Sequence, residues 1–200
     1  DLNSETYAGA QEHDLQQIRL NRAAIDFARD MAQEYGMGPK VFDPCGKVTA
    51  AGSARGEGHI ESYRKHLEAL GEEYRLMNAS DMKDWTGIDF YSKGLFTPGA
   101  VMIQPAAFVR QAAQGLSPRV SFYEKSPVIG IDIGAVHRLT TPKGSVRAKN
   151  VILAVNGHIQ SFGFFPRQLL HVFTYASMTR ALTQTEVKRL GGVSDWGILP

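Results

Sequence analysis

Residues 136–157 read VHRLTTPKGSVRAKNVILAVNG, and this stretch decides the fold class. Strands are predicted at 136–141 and 145–148, because proline and glycine at the second and fourth positions of the turn between them are typical of a type I turn. The run 151–155 is aliphatic at every position. A strand without polar alternation is typical of a sheet that helices cover on both faces. We therefore predict a covered α/β sheet in this part of the chain.

Outside this stretch, helices and extended segments alternate. Apolar residues spaced three and four apart predict the helices, and capping residues mark several of their ends. Ser80 is expected to cap the helix at 79–85, and Thr183 the last helix, with Glu186 at capping-box spacing. Residues 1–10 and 51–58 are predicted loops. The other predicted helices are 14–35, 59–70, 105–114 and 184–190, and the other extended segments are 40–50, 74–77, 90–104, 120–123, 128–133 and 168–182.

The two kinds of segment predict a mixed α/β (α+β) fold with two intertwined domains, rather than two domains in tandem. One domain takes the helical segment 1–38 and the covered sheet of 105–160. The other takes the more exposed antiparallel strands of 39–104 and 161–200. The sequence begins without methionine, and we expect it to be an internal piece of a longer protein.

Composition excludes several classes of protein. The chain has 200 residues, of which 43% are hydrophobic and 21% charged, a balance typical of globular domains. The net charge of +2 is too small to predict a nucleic-acid partner. The longest aliphatic run, 151–155, is too short to span a bilayer, which needs about 20 residues. The single cysteine, Cys45, favours a reducing, cytoplasmic compartment.

Motifs for phosphate binding and for hydrolysis are absent from the sequence. It contains no GxGxxG, Walker A or GxSxG pattern, and Gly56-Glu57-Gly58 is interpreted as a flexible linker. His59 and His66 share one helix face, where we expect both to be exposed together with the basic residues of 64–66. No histidine stands at metal-ligand spacing with Cys45 or with a carboxylate cluster, so no metal site is predicted.

The end of the aliphatic run, Ala154-Val155-Asn156-Gly157, allows two interpretations. Small residues at the carboxyl end of a buried strand let a ligand approach the backbone, where α/β sheets bind ligands. Asn-Gly is also a strong hairpin signal. The residues that follow, 158–163, alternate poorly, and this favours ligand approach.

The run 124–157 resembles the middle of the FAD-dependent amino acid and amine oxidoreductases, the D-amino-acid oxidase-like flavoproteins. Gly94-Leu95-Phe96 together with Gln104-Pro105 resembles the segment that precedes it in that family, and 175–182 resembles the strand that returns through the substrate domain. The strand end at Ala154-Val155-Asn156-Gly157 is similar to the γ-glutamylputrescine oxidase-like branch, as is Trp196-Gly197.

The resemblance implies roles for the predicted domains. Residues 1–38 and 105–160 would belong to a partial FAD-binding, Rossmann-like domain with a β-meander. Residues 39–104 and 161–200 would form the two parts of an antiparallel substrate domain.

The resemblance also implies site residues. The backbone at Val128 would contact the adenine of FAD, and Ala154, Asn156 and Gly157 would lie beside its ribose and phosphates. His171 and Tyr175 are the expected substrate-side residues. The implied reaction is oxidation of the C–N bond of an amino acid or amine, a small-molecule substrate.

The sequence departs from the family in three ways. Its dinucleotide fingerprint and its C-terminal closing segment are expected outside these 200 residues, and Thr179-Arg180-Ala181-Leu182 stands where relatives have Thr-Glu-Pro-Leu. We therefore expect weak or no FAD binding by this chain alone, because the glycine-rich turn at a helix N-terminus supplies much of the pyrophosphate binding. The alternatives are a cofactor-free binding or interaction domain and, less favoured, an NAD-dependent dehydrogenase.

Overall fold

The computed structural model describes residues 10–193 and 198–199. The predicted loop at 1–10 and the pair Trp196-Gly197 lie outside the described residues, apart from Ala10. The described elements, in chain order, are α1 (Ala10–Glu34), β1 (Phe42–Asp43), β2 (Lys47–Ala51), α2 (Ala54–Leu70), β3 (Arg75–Asn78), α3 (Ala79–Thr86), β4 (Lys93–Thr97), β5 (Met102–Ile103), α4 (Pro105–Leu116), β6 (Gly130–Asp132), β7 (His137–Thr141), β8 (Gly144–Ala148), a 3-10 helix (Asn156–Phe162), α5 (Gln184–Leu190) and β9 (Ile198–Leu199).

The chain divides into two compact units. Unit 1 comprises Asp1–Val120 and Ala181–Pro200, and unit 2 comprises Ser121–Arg180. Small antiparallel sheets and helices make up the fold, so the predicted mixed α/β class is confirmed. The assignment of particular ranges to a flavin domain and a substrate domain stays a prediction.

Unit 1 is built on a sheet in the order β3-β4-β2-β9. Its strands pair antiparallel except β2 and β9, which pair in parallel. Helix α2 contacts β2 and β4, while α3 contacts β3 and β4. Two clusters of buried apolar side chains result, Val48, Ala50, Met77 and Met82 in one and Ala51, Ile60, Leu67 and Leu95 in the other.

The start of α2 differs from the prediction. Residues 51–58 were expected to form a loop, but the helix begins at Ala54, because the Ser53 hydroxyl accepts a hydrogen bond from the Gly56 N–H at 3.2 Å. An N-cap serine satisfies one of the free N–H groups of the first turn, and this offsets the low helix propensity of the glycines that follow. The helix ends as predicted at Gly71, which has φ +69°.

Helix α3 is capped by Asn78 and not by Ser80, so that prediction was wrong. The Asn78 side-chain oxygen accepts from the Asp81 N–H at 3.0 Å, and the Asp81 carboxylate accepts from the Asn78 N–H at 2.9 Å. This reciprocal pair satisfies two N–H groups, which Ser80 could not do from inside the turn. The same arrangement at Thr183 and Glu186 confirms the prediction for α5.

Unit 2 contains a meander of three strands in the order β6-β7-β8. Thr141 pairs with Gly144 across the predicted turn, which is confirmed. The predicted buried strand at 151–155 is wrong, since these residues form no strand and Ile152 is 92% exposed. Between residues 121 and 180, all of which the structure describes, no strand pairs with this run and no helix covers it.

The extended segments predicted at 120–123 and 168–182 also form no strands. Their apolar residues match strand composition, but a strand requires a hydrogen-bonded neighbour. In the described part of the chain no neighbour pairs with either segment.

Candidate functional site

The residues predicted to contact a cofactor or a substrate all lie in unit 2. Val128 stands two residues before β6 and is half-buried. The next residue, Ile129, donates its N–H to the Thr140 carbonyl at 2.8 Å. The backbone at Val128 is thereby held at the edge of the meander.

Ala154, Asn156 and Gly157 lie where the extended run 151–155 passes into the 3-10 helix. Ala154 and Asn156 are exposed and Gly157 is half-buried. Asn156 has φ +51°, a left-handed conformation that asparagine adopts more readily than most residues. The chain continues as a helical turn and not as a second strand, so the hairpin interpretation is wrong.

His171 packs directly against Gly157. Its Nε2 atom lies 3.4 Å from the Gly157 carbonyl oxygen, within reach of a hydrogen bond in the tautomer protonated at that atom. A Cβ atom at position 157 would lie 2.6 Å from His171 Cδ2 and closer still to Nε2. A side chain at position 157 would therefore displace the imidazole, which is exposed.

The structure thus brings together one predicted cofactor residue and one predicted substrate residue. Tyr175 does not join them: it is 96% exposed and makes no hydrogen bond or ring contact with other described residues. A different hydrogen bond holds the turn beyond the 3-10 helix: the Gln160 side-chain oxygen accepts from the Arg167 N–H at 3.0 Å.

Two of the three predicted residues at this turn, Ala154 and Asn156, fit the edge of a cofactor. Ala154 and Asn156 are small and exposed, so a ligand can reach their backbone groups. At Gly157 the imidazole of His171 occupies the space that a side chain would fill. A ligand at this turn would therefore contact the outer side of 154–156 and the imidazole together.

His66 differs from its predicted exposed position. Its side chain is buried, and Nε2 lies 3.1 Å from an oxygen of the fully buried Asp14 carboxylate. The pair joins α1 to α2. The predicted exposure of His66 was wrong, because no local signal connects this histidine with a carboxylate so distant in sequence.

A groove of about 710 Å³ in unit 1 runs between α1, α2 and the loop 97–101. Arg22 and Glu72 at its rim form an ion pair with each other. Lys47 lies over the ring of Tyr63, with Nζ 5.9 Å from the centroid. Burial, and secondarily the negative charge of Glu72, raise the pKa of Tyr63 above its ordinary value. Of the charged residues that line the groove, Arg22 and Glu72 therefore neutralise each other.

Two features are not found in the described residues: a metal-binding cluster and a membrane-spanning helix. No group of three or more histidine, cysteine, aspartate or glutamate side chains there could hold a metal ion. Within 10–193 and 198–199, no helix is both long enough and apolar enough to cross a membrane.

A protein family described as FAD dependent oxidoreductase, DAO, matches residues 3–196. The chain belongs to this family. The cofactor of this family is FAD. No curated protein matches the chain significantly.

The solved structures with a similar fold include a glycine oxidase, an L-proline dehydrogenase and an L-amino acid deaminase. Glycine oxidase from Geobacillus kaustophilus is 17% identical with a TM-score of 0.55, and the match covers 66% of this chain and 37% of that one. L-proline dehydrogenase from P. horikoshii is 16% identical with a TM-score of 0.59, covering 73% and 40%. L-amino acid deaminase from Proteus myxofaciens, in complex with anthranilate, is 18% identical with a TM-score of 0.54, covering 71% and 34%.

These identities establish a shared fold and no more. The chain spans 34–40% of the length of these three structures.

Proposed function

We propose that this DAO-family chain belongs to an enzyme that oxidises the C–N bond of an amino acid or amine, with FAD as cofactor. The observation that carries the proposal is the family match across residues 3–196. The similar structures include a glycine oxidase and an L-proline dehydrogenase, whose names specify amino acid substrates. Transfer of that substrate class to this chain is part of the proposal.

Within the family we propose the γ-glutamylputrescine oxidase-like branch, on the strand end Ala154-Val155-Asn156-Gly157. A cytoplasmic location is proposed on the single Cys45. The flavin domain would comprise 1–38 and 105–160, and the substrate domain 39–104 and 161–200.

The proposed roles follow from the side chains that the site offers. When bound, FAD supplies the acceptor for a hydride from the carbon that bears the nitrogen. Val128 would hold the adenine by its backbone, and Ala154 and Asn156 would leave the ribose room to approach. His171, placed by Gly157, would orient polar groups at this edge, while the exposed Tyr175 would cover the substrate.

A cofactor-free binding domain is the second candidate. The observation that favours it is the imidazole of His171, which lies against Gly157 in the position where a ligand was expected to approach. The two candidates differ in one measurable quantity, the flavin content of the protein.

The test is therefore flavin content followed by flavin reduction. The 200-residue chain is purified, its visible absorbance recorded, and the supernatant assayed for FAD after denaturation. We expect little or no FAD here, and FAD near one per chain would show that expectation to be wrong. The complete reading frame, expressed in parallel, is expected to retain FAD.

The flavin-bearing protein is then mixed anaerobically with a panel of amino acids and γ-glutamylated amines. Loss of the oxidised flavin spectrum with a member of the panel supports the proposal. A complete protein without flavin, or a flavin that no amine or amino acid reduces, would reject it.

A further inference from the structure

A second cavity, of about 270 Å³, lies beside β3 and α3 in unit 1. A water molecule occupies about 30 Å³ in the liquid, so this space admits one small organic molecule. None of its lining residues lies in unit 2, where the candidate flavin residues are. The lining consists of Arg75, Leu76, Met77, Asp81, Asp84, Trp85 and Val193.

The indole of Trp85 presents an unused hydrogen-bond donor. Its Nε1 atom is buried and has no hydrogen-bond partner among the described residues. The ring itself is fixed, since it packs on Phe96 with centroids 6.0 Å apart. Buried indole N–H groups usually find an acceptor, and this one has none on the described chain.

Arg75 provides a cation at the same place. Its guanidinium carbon lies 5.7 Å from the centroid of Trp85 and 5.3 Å from that of Phe96. No described carboxylate forms an ion pair with it. A guanidinium stacks on aromatic rings by its face, and its N–H edge matches the geometry of a carboxylate.

The two carboxylates of the lining differ in what they already bind. Asp81 accepts the Asn78 N–H in the cap of α3. Asp84 has no hydrogen bond or ion pair with any residue that the structure describes, and its neighbour Lys83 pairs with Asp89 at 2.9 Å. Among the described residues, the lining therefore holds one guanidinium without an ion-pair partner and one carboxylate without a hydrogen bond or ion pair.

We propose that this cavity binds a zwitterion of the α-amino acid class with a small apolar side chain. Its carboxylate would accept from Arg75 beside the Trp85 indole, and its ammonium would donate to Asp84. A carboxylate alone would be repelled by the two aspartates and an amine alone by Arg75, so neither half of the ligand suffices. Leu76, Met77 and Val193 would contact the side chain.

The site can be tested through the Trp85 indole itself. The chain has two tryptophans, and Trp196→Phe leaves Trp85 as the single indole N–H signal in a proton–nitrogen NMR spectrum. This protein is titrated with L-valine, with its two halves isovalerate and isobutylamine, and with inorganic phosphate. We expect a saturable shift of the indole signal with L-valine, and binding weaker by about tenfold or more for each half, the equivalent of one charge-assisted hydrogen bond.

Matched variants separate the site from general charge effects. Arg75→Gln and Asp84→Asn are each expected to weaken L-valine binding by about tenfold or more. Arg110→Gln and Asp30→Asn, which change exposed residues on α4 and α1, should leave it unchanged. The amide spectrum of each variant reports whether it is folded.

Three results would overturn the proposal. They are an indole signal that L-valine does not move, an equal response to isovalerate or phosphate, and unchanged binding in both site variants. The readout needs no flavin, so failure of the proposed oxidase activity would leave this test unaffected, and the reverse also holds.

Discussion

Units 1 and 2 belong to one chain but differ in whether their apolar side chains are buried. In unit 1, Val48, Ile60 and Leu95 are fully or almost fully buried between the sheet and its helices. In unit 2, no residue from 121 to 180 is buried, although the meander has regular hydrogen-bonded ladders. Backbone hydrogen bonds between strands are therefore not sufficient to form a hydrophobic core.

The difference comes from layers and not from composition. A sheet excludes water from its side chains only when a second layer covers it. Unit 1 has α2 and α3 on its sheet, whereas unit 2 has no α-helix between 121 and 180. Its aliphatic and aromatic residues are thereby left at the surface, where Leu170, Phe173 and Met178 are strongly exposed.

The largest effect is expected from a core substitution in unit 1. Leu95→Ala removes a fully buried side chain and should lower the free energy of unfolding by about 2–5 kcal/mol, the transfer and cavity terms together. Ile152→Ala in unit 2 is the matched control and should change it by at most about 0.5 kcal/mol. Urea unfolding followed by circular dichroism measures both. Similar losses in the two variants would remove the distinction between the units.

The next test concerns the buried pair Asp14–His66. Both side chains are polar and lie in the interior of unit 1, where each needs the other as a partner. Asp14→Ala takes the carboxylate acceptor from a buried imidazole and should cost about 1–3 kcal/mol. Asp30→Ala, an exposed change on the same helix, should cost little. An equal effect of the two substitutions in urea unfolding would show that the pair does not stabilise α1 against α2.

Local signals explain which elements could be predicted from the sequence. The turn at Thr141–Gly144 and the cap of Thr183 with Glu186 depend on residues within four positions of each other, and both are confirmed. The run 151–155 depends on a neighbouring strand and a covering layer, which its own residues do not encode. His66 likewise depends on Asp14, a residue on another helix.

The candidate site shows the same division. Small residues at 154–157 were predicted to admit a ligand, a role that no contact in the structure tests. The sequence held no sign that His171 would meet Gly157, since their contact depends on the path of the intervening turn. The cavity at Arg75 and Trp85 was missed because its groups come from a strand and a helix whose packing sets their separation.

Gly157 offers a smaller effect that bears on unit 2 alone. Gly157→Val would collide with the His171 imidazole, which is exposed and can turn away, so the loss of stability should be at most about 1 kcal/mol. If the turn also abuts FAD, as proposed, flavin retention by the complete protein should fall much more. The measurement is FAD per chain after gel filtration.

The control is the double variant Gly157→Val with His171→Ala, in which the collision with the imidazole is removed. Continued loss of FAD would support contact between this turn and the cofactor. Recovery of FAD to the level of His171→Ala alone would show that Gly157 serves only to seat His171.

The smallest effect concerns charges on the surface of unit 1. Arg64 donates to Glu61 at 2.6 Å and forms an ion pair with Glu68. The hydrogen bond from Arg64 holds the pKa of Glu61 below its ordinary value, and the Tyr74 hydroxyl, followed by Arg64, does the same for Glu68. A carboxyl whose pKa is lower in the folded state adds stability above its unfolded pKa, and this stability is lost as pH falls through the folded pKa.

Arg64→Gln should therefore destabilise unit 1 slightly near neutral pH and have no effect once both glutamates are protonated. Thermal unfolding from about pH 7 to about pH 3, through the range in which glutamate titrates, measures the difference. Arg110→Gln should follow the wild-type profile throughout. A deficit that stays constant down to the lowest pH would mean that the Arg64 side chain acts by packing its methylene groups and not by its charge. Because both glutamates lie on α2, a charge effect would fall on the layered unit and leave the meander unchanged.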